Sequence, residues 1–248
     1  MNINDNSENE NPQSADNTAE NDTAAAVNVF EKNIRWIVLV CAAFCIIAGA
    51  AAGLRYYFSR HPDMVVSGDA GWSAPDYVSV KLIPVNEYSR PGTKLDAVNG
   101  LVIHYVGNPG TSAEANRSYF AGLAASGATY ASSNFIIGID GEVLECVPAD
   151  EVAYCSNSRN SDTLSIECCH PGEDGKFTDA TYASLVRLAA DLCVEFDLDP
   201  ERDIIRHYDI TEKLCPLYYV ENTDAWEALK ADIAEAVNAS RTAEIGTK

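Results

Sequence analysis

"GLVIHYVGNPGTSAEANRSYFAGLAAS", residues 100–126, changes its hydrophobic period once, and that change decides the fold class. Its first seven residues, "GLVIHYV", are rich in β-branched and aromatic side chains around a single histidine, and they read as a strand. "GNPGTS" is a turn that places Thr111 or Ser112 where a helix N-cap is needed. The last fourteen residues carry their apolar side chains at helical spacing. Strand, turn and helix follow one another with no long connection. The same alternation continues outward. "SNFIIGI" and "EVLECV" flank Asp140-Gly141, the strongest hairpin signal in the chain. "TLSIECC" (163–169) reads as a buried strand, "HPGEDGKF" as a loop, and Thr178 as the cap of the helix that follows it. "DIIRH" is a short strand, and "TDAWEALKADIAEAV" a final amphipathic helix. Strands interleaved with helices, plus one hairpin, predict an α/β domain with a mixed central sheet flanked by helices. Its expected limits are residues 81–238, followed by a short tail at 239–248.

Ahead of this domain the composition shifts twice. Residues 1–31 are rich in Asn, Asp, Glu, Ser and Ala, hold little aliphatic bulk, and read as a disordered acidic tail. "WIVLVCAAFCIIAGAAAGL" (36–54) then runs nineteen residues without a charge or a proline. At ~1.5 Å per residue a helix of that length matches the ~30 Å hydrocarbon core of a bilayer. With Lys32, Arg35, Arg55 and Arg60 around it and Trp36, Tyr56 and Tyr57 at its ends, it predicts one transmembrane helix over residues 34–57. Residues 58–80 read as a stalk. Basic residues balance on the two sides of the span, so charge leaves its orientation open. The formal net charge of −20 over 248 residues argues against a nucleic-acid partner, which needs a basic surface to displace counterions.

The chain has only four histidines, and two of them occupy similar places. His104 lies inside the strand "LVIHYV" and His207 ends the strand "DIIRH". A histidine in a strand is ordinarily a satisfied core residue. Two on separate strands, with Cys215 eight residues beyond the second, fit a different pattern. Imidazole and thiolate ligands suit Zn²⁺, and three protein ligands with one open position are the arrangement of catalytic zinc. The spacing is neither CxxC nor HExxH, so by itself it does not fix a metal site. Glu167, in an apolar strand, would be a buried charge, which is costly unless it has a task.

Four segments in this order, "LVIHYVGNPGTS", "SSNFIIGIDGEV", "SIECCHPGEDGKF" and "IIRHYDITEKLCP", resemble the zinc-dependent N-acetylmuramoyl-L-alanine amidases of the type-2 amidase and peptidoglycan-recognition-protein family. The likeness runs from about Asn86 to Trp226. "NEYSRPG" (86–92) and "YCSNSRN" (154–160) are similar to its bacterial branch. The resemblance implies that His104, His207 and Cys215 bind Zn²⁺. It implies that water at the zinc attacks the amide between N-acetylmuramic acid and L-alanine in peptidoglycan. It also implies that Glu167 is the general base and acid and that Lys213 stabilises the oxyanion. The substrate lies outside the cell membrane, so a single-pass anchor with an extracytoplasmic catalytic domain is expected. Two positions depart from the family pattern. Some members carry a catalytic tyrosine where this chain has Ser133, and many carry a histidine where it has "AYCSN".

Other readings of the same residues compete with this one. A catalytically weak peptidoglycan-binding module would share the fold, and a cysteine hydrolase would use Cys155 or Cys215 as nucleophile with His104 or His207 as base. "CCH" at 168–170 tempts a metal reading, but adjacent strand residues face opposite ways, so His170 is expected in a loop near the substrate groove. Of the eight cysteines, Cys168 or Cys169 and Cys193 fall in core elements, and Cys146 and Cys155 flank one short loop where a bridge is open.

Overall fold

The structure, a computed structural model, describes residues 72–246. The acidic tail and the expected membrane span lie outside the described residues; among those described, no helix is long and apolar enough to cross a membrane. In chain order the strands are β1 (Val78–Val80), β2 (Leu101–Tyr105), β3 (Phe135–Ile137), β4 (Val143–Glu145), β5 (Leu164–Cys168) and β6 (Ile204–Arg206). The helices are α1 (Ala113–Ser126), α2 (Asp179–Glu195), the single turns α3 (Pro200–Asp203) and α4 (Tyr208–Thr211), α5 (Leu217–Glu221) and the long α6 (Thr223–Gly246). They build one six-stranded sheet in the order β1-β4-β3-β5-β2-β6. Only the β3–β4 hairpin pairs antiparallel; the other four pairings are parallel. This is the mixed sheet expected from the sequence.

Local chemistry fixes the element ends. The Ser112 hydroxyl accepts the Ala115 N–H at 3.2 Å, and Gly127 closes α1 in the left-handed region at φ 59°. The Thr178 hydroxyl accepts the Thr181 N–H at 3.0 Å and donates to the Ile139 carbonyl at 2.7 Å, tying the start of α2 to the hairpin. Gly141 turns that hairpin at φ +86°, and a Cβ there would meet the Ala180 carbonyl at 2.9 Å.

The two sheet faces are covered differently. Leu101, Ile103, Phe135, Ile137, Leu164 and Ile166 face α2 and α6, and the core there continues through Leu185, Leu188, Leu192, Leu229 and Ile233. Each such side chain, fully buried, contributes about 1.5–3 kcal/mol of transfer free energy. The opposite face carries a smaller cluster, with Phe120 and Leu123 of α1 packed among Ile83, Ile136 and Leu144. That leaves part of this face to polar groups.

Two expected limits shift. β1 lies inside the stretch read as stalk, pairing Val78 with Val143. Three side chains explain why the fold begins earlier. The Trp72 ring meets Phe135 edge-on at 5.9 Å, the Tyr77 hydroxyl donates to Asp191 at 2.6 Å, and the Arg187 guanidinium sits 3.7 Å over the Tyr77 ring. At the other end, α6 runs on to Gly246, through most of the expected tail, and the Arg241 guanidinium reaches Asp197 at 3.3 Å. A fragment beginning at Asp69 should therefore fold. One beginning at Lys81 should lose about 3 kcal/mol or more, the scale of truncating one large packed aromatic, with urea unfolding of the two fragments as the check.

Candidate metal centre

Strand parity aims the chemistry. In β2 the core takes Leu101 and Ile103, and in β5 it takes Leu164, Ile166 and Cys168. Side chains alternate, so His104 and Glu167 point to the opposite face. The two are register partners across the parallel β2–β5 pair. On the other side of β2, the His207 N–H donates to the Ile103 carbonyl at 3.3 Å, just past the end of β6. The two imidazole rings then lie 4.7 Å apart between centroids, at 60°.

The spacing of eight between His207 and Cys215 has a backbone cause. After His207 the chain makes the single turn α4 and reverses at Glu212, which sits in the left-handed region at φ 62°. The Tyr208 N–H donates to the Cys215 carbonyl at 2.9 Å and closes the loop. Arg206 braces it from below, pairing with Asp209 at 2.8 Å and donating to the Tyr219 carbonyl at 3.1 Å. Cys215 thereby comes back beside the histidines. One ligand atom from each of His104, His207 and Cys215 lies within 4.8 Å of the other two. His104 Nδ1 is 3.7 Å from Cys215 Sγ. His207 Nδ1 is buried and has no hydrogen-bond partner in the protein. The outer nitrogens are held: His104 Nε2 lies 3.2 Å from the Ser156 hydroxyl and His207 Nε2 2.8 Å from the Asn157 side-chain oxygen.

All three donors are buried, and burial dominates their protonation. It pushes His104 well below its ordinary value, with His207 and Lys213 adding to the shift, and it lowers His207 with Lys213 adding. Both imidazoles are therefore neutral, the form that ligates a metal. Burial pushes the Cys215 thiol up to about 12, Glu167 raising it further while a Tyr105 backbone hydrogen bond and Lys213 oppose. Glu167 is pushed up to about 7 by burial, against a hydrogen bond from Cys155 and the charge of Lys213. One of its oxygens, Oε2, is buried without a partner. These groups line an open cleft of about 310 Å³, together with exposed Lys213 and the aromatic side chains Phe120, Tyr130 and Tyr154.

Comparison with known proteins bears directly on this arrangement. Residues 94–217, half of the chain, match the Amidase_2 family, described as N-acetylmuramoyl-L-alanine amidase. The chain belongs to this family. Among named relatives, N-acetylmuramoyl-L-alanine amidase BlyA of Bacillus subtilis (strain 168) is 34% identical over 168 residues, covering 60% of this chain and 44% of that protein. N-acetylmuramoyl-L-alanine amidase CwlL of Bacillus licheniformis is 35% identical over 153 residues, covering 57% and 42%. The chain thus spans less than half the length of these relatives. Among solved structures, the catalytic domain of XlyA superposes with a TM-score of 0.53 at 25% identity, covering 63% of this chain and 98% of that one.

Within this amidase fold, the five residues singled out in the sequence (His104, Glu167, His207, Lys213 and Cys215) all line the one cleft. The structure also places residues that the sequence leaves open. Ser133 is fully buried, its hydroxyl donating to the Phe135 and Ser165 carbonyls at 2.8 and 3.0 Å, so it braces strands and does not line the cleft. His170 lies in the loop after β5, as expected, but is buried against Tyr105, bonded to the Gly172 carbonyl at 2.7 Å, and is not among the residues that line the cleft. Cys146 and Cys155 are both free: Cys146 sits in the smaller core cluster, and Cys155 faces Glu167 at 3.5 Å. Burial pushes the Cys155 thiol well above its ordinary value, and Glu167 adds to the shift, which disfavours the thiolate a cysteine hydrolase needs. Cys155 also forms a second close group with His104 and Glu167. That contact and the grip of Ser156 and Asn157 on the histidines escaped the sequence; the polar run "SNSRN" directly after Cys155 was their one visible trace.

The buried carboxyl carries a stability signature. The unfolded chain releases the Glu167 proton near its ordinary value of 4.5, whereas the folded chain holds it to about 7. Between those values the folded state binds more protons, so rising pH costs stability there, by up to about 3 kcal/mol. In chelator-treated protein Glu167→Gln should lack this loss. The variant should gain on the wild type between pH 5 and pH 8 in urea titrations, and equal slopes with pH would contradict the assignment.

Proposed function

We propose that this chain hydrolyses the amide between N-acetylmuramic acid and L-alanine in peptidoglycan, with a zinc ion held by His104, His207 and Cys215. One observation carries the reading: three metal donors, a carboxylate and an ammonium, from β2, β5 and the loop at 207–215, meet at one open cleft. The donors suit the ion. Two neutral imidazoles and a thiol are a borderline-soft set matched to zinc, and the buried His207 Nδ1 is otherwise an unsatisfied polar atom, costly to maintain without a partner. Membership of the amidase family and the names of BlyA and CwlL support the substrate bond.

When bound, zinc supplies Lewis-acid polarisation of the scissile carbonyl and a water of lowered pKa. The chain's own groups do the rest. Glu167 accepts the proton of the attacking water and returns it to the leaving amine; a carboxyl held near neutrality suits both transfers. Lys213, on the loop that brings Cys215 back, faces the developing oxyanion with a full positive charge. The aromatic side chains of Tyr130 and Tyr154, which line the cleft, offer surface to the sugar and stem peptide beside the bond.

The test pairs chemistry with metal content. Glu167→Gln should keep zinc while release of L-alanine amino groups from purified peptidoglycan falls about 10²–10⁴-fold. Lys213→Met should also slow cleavage and spare the metal. A Glu167→Gln protein that holds zinc and cleaves at the wild-type rate would refute the mechanism.

The same reading makes the protein a membrane-anchored enzyme. Its support is the uncharged nineteen-residue run at 36–54 together with a substrate that lies outside the membrane. Protease added to intact protoplasts should then digest the catalytic domain. Protection that ends only on lysis would reverse the orientation.

A further inference from the structure

We propose that Ser156 and Asn157 are positioning residues that fix the two histidines for metal, the Ser156 hydroxyl holding His104 and the Asn157 side-chain oxygen holding His207. The inference rests on the metal reading above and extends it to residues outside the donor set. Its basis is the direction in which each ring faces. On the inner side, His104 Nδ1 meets Cys215 Sγ and His207 Nδ1 has no protein partner. An inner nitrogen ligates only with its lone pair free, so the proton of each neutral ring must sit on the outer Nε2. Each Nε2–H then needs an acceptor, and each has one: Ser156 Oγ at 3.2 Å and Asn157 Oδ1 at 2.8 Å. Such outer contacts choose the tautomer, lock the ring rotation and raise ligand basicity.

The turn that carries them is built to hold these two side chains still. The Asn160 side-chain oxygen accepts the Cys155 and Ser156 N–H groups at 3.1 and 2.6 Å. The Arg159 N–H closes on the Ser156 carbonyl at 3.0 Å, and the Arg159 guanidinium pairs with Asp162 at 2.8 Å. Asn157 itself takes φ +52°, a left-handed conformation that asparagine tolerates better than most side chains. The one unusual backbone angle in this turn thus falls on the residue that reaches His207, where stored strain is best repaid by function.

The experiment uses the full chain and reads metal directly. Zinc affinity is measured by chelator competition, and the site is loaded with cobalt(II) for its visible absorption. Asn157→Gly keeps the left-handed backbone and removes the acceptor, whereas Asn157→Asp keeps both; Ser156→Ala tests the other ring. Asn157→Gly and Ser156→Ala should each lose about 10–100-fold in zinc affinity and shift the cobalt spectrum. Asn157→Asp should stay near wild type, and metal-free melting temperatures should hardly change. Wild-type affinity and an unchanged spectrum in both truncated variants would overturn the inference while leaving the metal reading intact. An Asn157→Asp protein as weak as Asn157→Gly would overturn the acceptor role. A wild-type chain that takes up neither zinc nor cobalt would remove the metal reading and this inference with it.

Discussion

Parallel pairing of β2 with β5 on one side and β6 on the other sets His104 next to Glu167 and within ring contact of His207. The register is held by what lies on the other face. Leu101 and Ile103 pair with Leu164 and Ile166, and all four are buried under α2 and α6. A slip of one residue would expose that apolar set and drive His104 and Glu167 into the core, so hydrophobic burial on one face enforces polar geometry on the other. The site therefore inherits its precision from the core. The return of Cys215 depends on the same frame, because Tyr208, whose N–H closes the loop, follows directly on the strand end that carries His207.

The polar face is expensive in the absence of a ligand. Glu167 Oε2 and His207 Nδ1 are buried without protein partners, and the carboxyl is held far from its ordinary protonation. Local violations of this kind concentrate at functional sites and are sustained by stability elsewhere. Here the sustaining structure is the larger core cluster together with the early segment at Trp72 and Tyr77, which lengthens the sheet by one strand.

Much of this was legible in the sequence, for identifiable reasons. The helix at 113–126 announced itself by period and by Thr111 or Ser112 ahead of it; the hairpin did so by Asp140-Gly141. His104, His207 and Cys215 stood out because imidazoles are rare in this chain, and one lies in a strand and another directly after one. What was not legible has a common cause. β1 is three residues long with two of them exposed, so it has no period to read, and its attachment depends on aromatic contacts formed only in the fold. Ser156 and Asn157 act through side-chain hydrogen bonds across more than forty positions of chain, and a Ser-Asn turn carries no mark of what it will touch. Ser133 was read against a relative's catalytic tyrosine, yet its hydroxyl is spent on two strand carbonyls.

Family membership and the fold locate the cleft; the central claim is that one ion is held there by two imidazoles and one thiolate. X-ray absorption at the zinc edge of the full chain addresses that claim without relying on activity. The account expects one sulfur scatterer at about 2.3 Å and imidazole nitrogens at about 2.0–2.1 Å, with the sulfur signal absent in Cys215→Asp. A wild-type spectrum with no sulfur in the first shell, or one unchanged by that substitution, would contradict it.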